Sequence, residues 1–369
     1  MDSLFSTAPR QAAGPIFRDQ ALTYLVTGGA GFIGSHLTEA LLARGDHVIV
    51  LDDLSTGSLE NLSAVAEHPC LRTVTGSVRD ELVVDELIHQ SDVVVHLAAA
   101  VGVRLIVEEP LRSFTTNLRG SEIVIAAAHR YQRQILIAST SEIYGKNGSS
   151  ILSETADRIL GPTTIARWAY STAKAVDEIL ATTYHRERGL PSVVTRLFNT
   201  VGPRQSPHYG MVIPNLIGQA LRGEPLRVFG DGMQSRCFAH VADVVDALLG
   251  VLDNRRSIGG VFNIGSTEEI TILRLAERII EHTGSSSPIQ LIPYEEAYNN
   301  GGFEDMRRRV PDTTRIETLT GWSPRLTLDD ILRDSIEEVR RQAAEVLRPQ
   351  VELDLTAELM DDDQPSVLR

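Results

Sequence analysis

The sequence predicts an α/β protein: a Rossmann-like, doubly wound parallel sheet with a smaller C-terminal α/β lobe. Three observations predict it. Over the first 200 residues, short buried apolar runs alternate with amphipathic helical stretches, the pattern of a parallel sheet covered on both faces. A glycine-rich turn, Thr27-Gly28-Gly29-Ala30-Gly31-Phe32-Ile33-Gly34, follows the first apolar run and opens a helix. After about residue 200 the texture changes: Pro203, Pro207, Pro214 and Pro225 break the chain, and glycines cluster at 230–232, 259–260 and 301–302.

Residues 1–21, with Pro, Gly, Gln and Ser, read as a flexible lead-in. Leu22–Val26 is the first strand, Ser35–Arg44 the helix after the glycine turn, and His47–Leu51 the second strand. Val93–Leu97, Gln134–Ala138 and Ser192–Phe198 are further strands, with helix between them, for example over 121–130. A dinucleotide-binding domain is therefore expected over 22–200. A ligand-binding lobe is expected over 201–347, with some segments returning to the first domain. Leu328–Val346 reads as a last helix, because Leu328, Ile331, Leu332, Ile336 and Val339 form one stripe. The acidic tail, 348–369, is expected to be solvated and disordered.

Composition narrows the function. Of 369 residues, 42% are hydrophobic and 23% charged, enough for a large core and unlike a disordered chain. The 49 acidic residues outnumber the 35 basic ones, and the net charge of −14 argues against a nucleic-acid partner. The apolar stretch at 93–103 contains His96 and is too short for a membrane span. No segment reads as a signal peptide. Cys70 and Cys237 form no metal or redox motif, and the ten histidines show no tight ligand spacing. The expectation is a cytoplasmic protein with no metal and no membrane association.

Two constellations carry chemistry. In the glycine turn, Gly28 allows the sharp bend, Gly31 lets a pyrophosphate approach the backbone, and Gly34 lets the helix pack on the strand. The helix N-terminus offers free N–H groups to the phosphates. Asp52, with Asp53, ends the next strand 18 residues after Gly34. An acid there accepts hydrogen bonds from ribose hydroxyls and repels a 2′-phosphate, so the expected cofactor is NAD. The second constellation is Tyr170-Ser-Thr-Ala-Lys174, which puts a phenol and an ammonium on one helix face. The ammonium is expected to favour the phenolate and make Tyr170 a base. Ser139-Thr140-Ser141-Glu142 emerges from a strand end, where open α/β sheets bind ligands. These residues either share a proton with Tyr170 and a substrate alcohol or cap the following turn.

On these residues the chain resembles the extended short-chain dehydrogenase/reductases, in their nucleotide-sugar epimerase, dehydratase and decarboxylase branch. The matching stretches are TGGAGFIG (27–34), LDDLSTGSLENL (51–62), HLAA (96–99), STSEIYG (139–145), YSTAK (170–174), RLFNTVGPRQ (196–205), FGDGMQSRCF (229–238) and RVPD (309–312). The resemblance implies NAD-dependent oxidation of a sugar at C4 and a homodimer. It implies cofactor contacts from Gly28, Gly31, Phe32, Ile33, Gly34, Asp52, Ser77, Val78, Leu97, Ala98, Ala99, Asn117, Tyr170 and Lys174. Ser77 stands where relatives often carry Asp. It implies catalytic roles for Tyr170, Lys174, Thr140, Ser141 and Glu142, and nucleotide-sugar contacts from Asn199, Arg204, Arg236 and Arg309. Asn199 and Arg236 are expected at the phosphates, and Arg309 at a phosphate or a sugar carboxylate.

The segment Thr140-Ser141-Glu142 and the Arg167-Trp168-Ala169-Tyr170 run resemble UDP-glucuronic acid decarboxylases most. Such an enzyme yields UDP-4-keto-pentose or UDP-xylose. A 4-epimerase of UDP-glucose or UDP-glucuronate type is the runner-up reading. A 4,6-dehydratase follows, although Ser141 stands where many dehydratases carry Asp. A catalytically silent NAD-binding sensor is the non-enzymatic alternative.

Overall fold

The structure, a computed structural model, describes residues 20–101, 109–165, 167–207, 211–293, 296 and 306–361. The expected lead-in lies almost wholly outside them. In chain order the first elements are β1 (Thr23–Thr27), α1 (Phe32–Ala43), β2 (His47–Asp52), β3 (Leu71–Thr75), α2 (Glu81–His89) and β4 (Val93–His96). Then come α3 (Pro110–Arg130), β5 (Gln134–Thr140), a 3-10 turn (Ser141–Tyr144), α4 (Arg167–Arg188), β6 (Ser192–Leu197) and β7 (Thr200–Val201). α5 (Val212–Leu221), β8 (Leu226–Phe229), β9 (Ser235–Cys237), β10 (Ala239–His240), α6 (Val241–Leu252) and β11 (Val261–Ile264) follow. The chain continues through β12 (Glu269–Thr271), α7 (Ile272–Thr283), β13 (Ile289–Ile292), β14 (Arg308–Arg309), α8 (Thr314–Thr320) and α9 (Leu328–Asp361).

A seven-stranded sheet in the order β3-β2-β1-β4-β5-β6-β11 forms the first lobe. Every pairing in it is parallel. The order reverses between β1 and β4, which opens a crevice at their carboxyl ends. The central strands are largely apolar because both faces are covered: Val93–His96 is buried at every position. One face carries Leu37 and Leu41 of α1 with Val244 and Leu248 of α6. The other carries Val84 and Leu87 of α2, Ile125 and Ala128 of α3, and Ala181 of α4. A separate core holds the second lobe, with Ile213 and Leu216 of α5, Leu275 and Ile279 of α7, and Ile331, Leu332 and Ile336 of α9.

β11 lies 64 positions after the end of β6 and still pairs with it, Val261 opposite Val194, so the first sheet takes its last strand from beyond residue 200. β3 carries no apolar run and its residues are half-buried or exposed, because it is the sheet edge. α9 runs on to Asp361, inside the stretch expected as the acidic tail. Residues 350–360 are dominated by Glu, Leu, Ala, Met and Gln, which favour helix, and this outweighs the negative charge.

Candidate active site

One cavity of about 880 Å³ runs along the carboxyl ends of the first sheet and under the second lobe. Its first half is made by the glycine turn. Gly28 has φ +73°, and a Cβ there would lie 2.8 Å from Ala98 N. A Cβ on Gly34 would lie 2.1 Å from the Gly28 carbonyl oxygen. These glycines hold the turn against the sheet. Gly31 is the N-cap of α1, no side chain caps that helix, and its first turn carries no acid. Its amides are thus left for an anion. Asp52 closes this end: its carboxylate accepts the Ala30 N–H at 3.0 Å and the Leu54 N–H at 2.9 Å. Burial pushes the Asp52 carboxyl up, against the pull of those backbone bonds. Each oxygen keeps capacity for a second donor. An uncapped helix end, glycines without room for side chains and a buried acid fit a dinucleotide.

Gly28, Gly31, Phe32, Ile33, Gly34, Asp52, Val78, Leu97, Ala98 and Ala99 all line the cavity. Ser77 and Asn117 do not. Ser77 turns its hydroxyl to the Arg79 N–H at 3.3 Å. Asn117, on α3, stands behind the wall: it accepts the Ala100 N–H at 2.7 Å and donates to the Ala100 carbonyl at 3.0 Å. Asn117 fixes the lining rather than forming it.

The middle of the cavity holds Thr140, Ser141, Glu142, Tyr170 and Lys174. Tyr170 and Lys174 are buried on one face of α4, and Lys174 pairs with Asp177 at 3.2 Å. The Tyr170 hydroxyl is well above its ordinary value, through burial first and then the charges of Glu142 and Asp177. This is opposite to the sequence expectation. Desolvation and two carboxylates outrank the lysine, which already has a counterion, so the resting group is a neutral phenol. Thr140 accepts the Glu142 N–H at 3.2 Å and caps the 3-10 turn, leaving its own O–H to donate. Ser139 donates to Glu178 at 2.5 Å, and Glu178 is also held by Arg196. Ser139 is therefore engaged in anchoring β5 to α4.

The second lobe adds Asn199, Arg236 and Arg309. Asn199 donates to the Cys237 carbonyl at 2.8 Å, and Arg236 to the Ser235 carbonyl at 2.7 Å. Arg309, on two-residue β14, reaches across to the first lobe. Its guanidinium donates to Glu142 at 2.8 Å and to Ser141 Oγ at 3.3 Å, and its Nε is buried without a partner. Arg204 faces elsewhere. It bonds Glu39 at 2.6 Å and Ser35 at 3.2 Å, both on α1, and it does not line the cavity. Its φ of +68° aims the side chain back at the first lobe.

Several lining residues escaped sequence reasoning: Gln205, Ser206, Gln219, Arg227 and Phe229. The signal was present for two of them. β8 alternates buried and open positions, and Arg227 and Phe229 occupy the open ones. Among the described residues, no group of three or more His, Cys, Asp or Glu side chains is placed to hold a metal.

A family model described as "NAD dependent epimerase/dehydratase family" matches residues 24–265. The chain is 38% identical over 317 residues to a UDP-N-acetyl-alpha-D-glucosaminuronate decarboxylase of Bacillus cytotoxicus, covering 86% of this chain and 97% of the relative. It is 34% identical over 323 residues to UDP-glucuronic acid decarboxylase 4 of Arabidopsis thaliana, covering 88% of this chain and 70% of the relative. A UDP-glucose 4-epimerase of Thermotoga maritima, solved with UDP-glucose, superposes with a TM-score of 0.78 at 32% identity, covering 87% of this chain and all of that one. The chain belongs to the NAD-dependent epimerase/dehydratase family, the extended short-chain dehydrogenase/reductases.

Proposed function

We propose that the protein is an NAD-dependent decarboxylase of a UDP-linked hexuronate, either UDP-glucuronic acid or its N-acetylglucosaminuronate counterpart. The observation that carries this reading is the Arg309–Glu142–Ser141 cluster, set in the same cavity as Tyr170 and Lys174. An arginine fork recognises a carboxylate, and oxidation at C4 makes a C6 carboxylate labile. Decarboxylase relatives, at 33–38% identity, support the same reading.

NAD, when bound, supplies the group that takes hydride from C4 and gives it back. Tyr170, once it has lost its own proton, takes the proton of the C4 hydroxyl as the phenolate, and Thr140 donates to the same oxygen. The product is a β-keto acid. Its C5–C6 bond breaks, the electron pair moves toward the C4 oxygen, and carbon dioxide departs. Tyr170, now protonated, and Thr140 hydrogen-bond that enolate oxygen. Arg309 holds the carboxylate in register. Its pairing with Glu142 keeps it from over-stabilising a charge that must vanish in the transition state. C5 then takes a proton, and the ketone is kept or reduced.

Proton NMR of the protein with NAD and UDP-glucuronic acid, then with UDP-N-acetylglucosaminuronic acid, tests this. A UDP-pentose or UDP-4-keto-pentose with release of carbon dioxide is expected. Conversion to UDP-galacturonic acid with all carbons retained would make it a 4-epimerase, the reading favoured by the superposition on a UDP-glucose 4-epimerase.

The assembly is proposed to be a homodimer through α3 and α4, where Leu111 and Ile179 are exposed. Sedimentation at micromolar concentration tests it, and a monomer would refute it. A cytoplasmic setting belongs to the same proposal and rests on two free cysteines. Among the described residues, no helix is long and apolar enough to cross a membrane.

A further inference from the structure

Beneath the Tyr170–Lys174 face of α4 lies a row of buried polar groups with no part in the scheme above. Asp177 follows Lys174 by three positions, is fully buried, and sets a carboxylate oxygen 3.2 Å from the Lys174 ammonium. Neither oxygen has a hydrogen bond of full geometry, and Ser121 of α3 presents its hydroxyl to the same carboxylate. Ser121 Oγ in turn lies 3.1 Å from His96 Nε2 at the end of β4. His96 Nδ1 lies 2.8 Å from Thr27 Oγ1 at the end of β1, and that oxygen accepts the Ala98 N–H at 3.3 Å.

The polarity of this row follows from the charge at its end. A carboxylate only accepts, so Ser121 turns its proton to Asp177 and must accept from His96. His96 is neutral, burial having pushed it down to about 3, so its single proton sits on Nε2. Its bare Nδ1 then takes the Thr27 proton. With Asp177 ionised, each member from Thr27 to Ser121 has a defined donor and acceptor; burial pushes the Asp177 carboxyl up, and Lys174 and Ser121 pull it back down.

We propose that Asp177 is a positioning residue for the C4 oxidation: it anchors Lys174 and, as a fixed buried anion, sets the pH at which Tyr170 becomes a base. This rests on Tyr170 being the base of the proposed reaction. The charges facing the cluster come from several elements. Glu142, in the turn after β5, is held by Arg309 of β14. Glu178, on α4, is held by Arg196 of β6. His96, on β4, carries no charge at neutral pH. Removing one anion from such a buried cluster makes its next deprotonation easier, whichever member holds the proton.

The test is ultraviolet titration of the phenolate band in the NAD-loaded enzyme, with Tyr170→Phe subtracted. Asp177→Asn keeps the shape and removes the charge. It should move the Tyr170 midpoint down by about one pH unit or more. The acid limb of kcat/KM should move the same way. Asp177→Glu, which restores the charge, should leave both near their wild-type positions. If the Asn variant does not fold, Asp177→Ser removes the same charge with less bulk and carries the same expectation. An unmoved or raised midpoint in the charge-free variant overturns the proposal, even if kcat falls, since lost packing lowers rate without moving the limb. The titration needs no sugar substrate, so its outcome is independent of whether the decarboxylase reading survives.

Discussion

Gly31→Ala and Gly34→Ala are chemically the same change three residues apart, and the structure expects opposite consequences. At Gly31 an added Cβ meets one atom, the Gly28 carbonyl oxygen, at 3.1 Å, a shortfall of a few tenths of an ångström from the 3.4 Å of ordinary contact. At Gly34 it meets the same oxygen at 2.1 Å and Gly29 Cα at 2.7 Å, so α1 must move by over 1 Å relative to the turn. Overpacking of that kind costs about 1–3 kcal/mol of stability. The Gly31 variant should therefore melt within about 1 kcal/mol of wild type. Its methyl group stands where a pyrophosphate meets the N-terminus of α1, so NAD affinity should fall about 100-fold, which is about 2.7 kcal/mol. Calorimetric titration with NAD, beside urea unfolding without it, separates the two effects. The reasoning is refuted if Gly31→Ala binds NAD within a few-fold of wild type, or if Gly34→Ala is as stable as wild type.

Three further outcomes are expected. Arg309→Ala should lower decarboxylation by about 100-fold, the scale of a lost charge-assisted fork, and Lys should restore only part because it offers no paired donors; equal activity of Ala and wild type would remove Arg309 from the chemistry. His96 takes a proton at 6.5 in the unfolded chain and at about 3 in the native one. Stability is therefore lost as pH falls through that window, by about 2 kcal/mol at about pH 5, and His96→Gln should flatten that part of the urea-unfolding profile. Glu178→Ala strands the Arg196 guanidinium that it holds at 2.8 Å and should cost about 3–5 kcal/mol in unfolding experiments.

The parts legible in the sequence were those set by local pattern. β1, β2, β4 and β5 hold apolar runs because both their faces are buried, β6 is marked by its Val193-Val194 pair, and the glycine turn and the Tyr170–Lys174 pair are fixed by spacing. What stayed hidden depended on distant neighbours. β14 is two residues long and has no periodicity, yet it delivers Arg309 to Glu142, 167 positions earlier. Arg204 sits in a matching motif, but a motif gives its charge and not its direction, which a left-handed backbone turns toward Glu39. A lysine at i+4 of Tyr170 is visible in sequence, whereas the burial and the carboxylates of Glu142 and Asp177 that hold the phenol up are recognisable only in the fold. For Ser139 the sequence leaves proton sharing and turn capping both open, because nothing local shows that Glu178 claims its proton.

The return of β11 to the first sheet makes the two lobes inseparable as pieces of chain. A fragment ending after β6 would lack the strand that covers its edge and α6, which packs beside α1 on one face of the sheet. It would expose an open hydrogen-bonding edge and a bare apolar face together, the conditions for aggregation rather than autonomous folding. Exchanging sugar-binding regions between relatives therefore calls for transplanting separate stretches on either side of residues 239–264, with that segment left in the recipient. Recombination at a single crossover near residue 200 would instead pair one protein's sheet with another's outer strand.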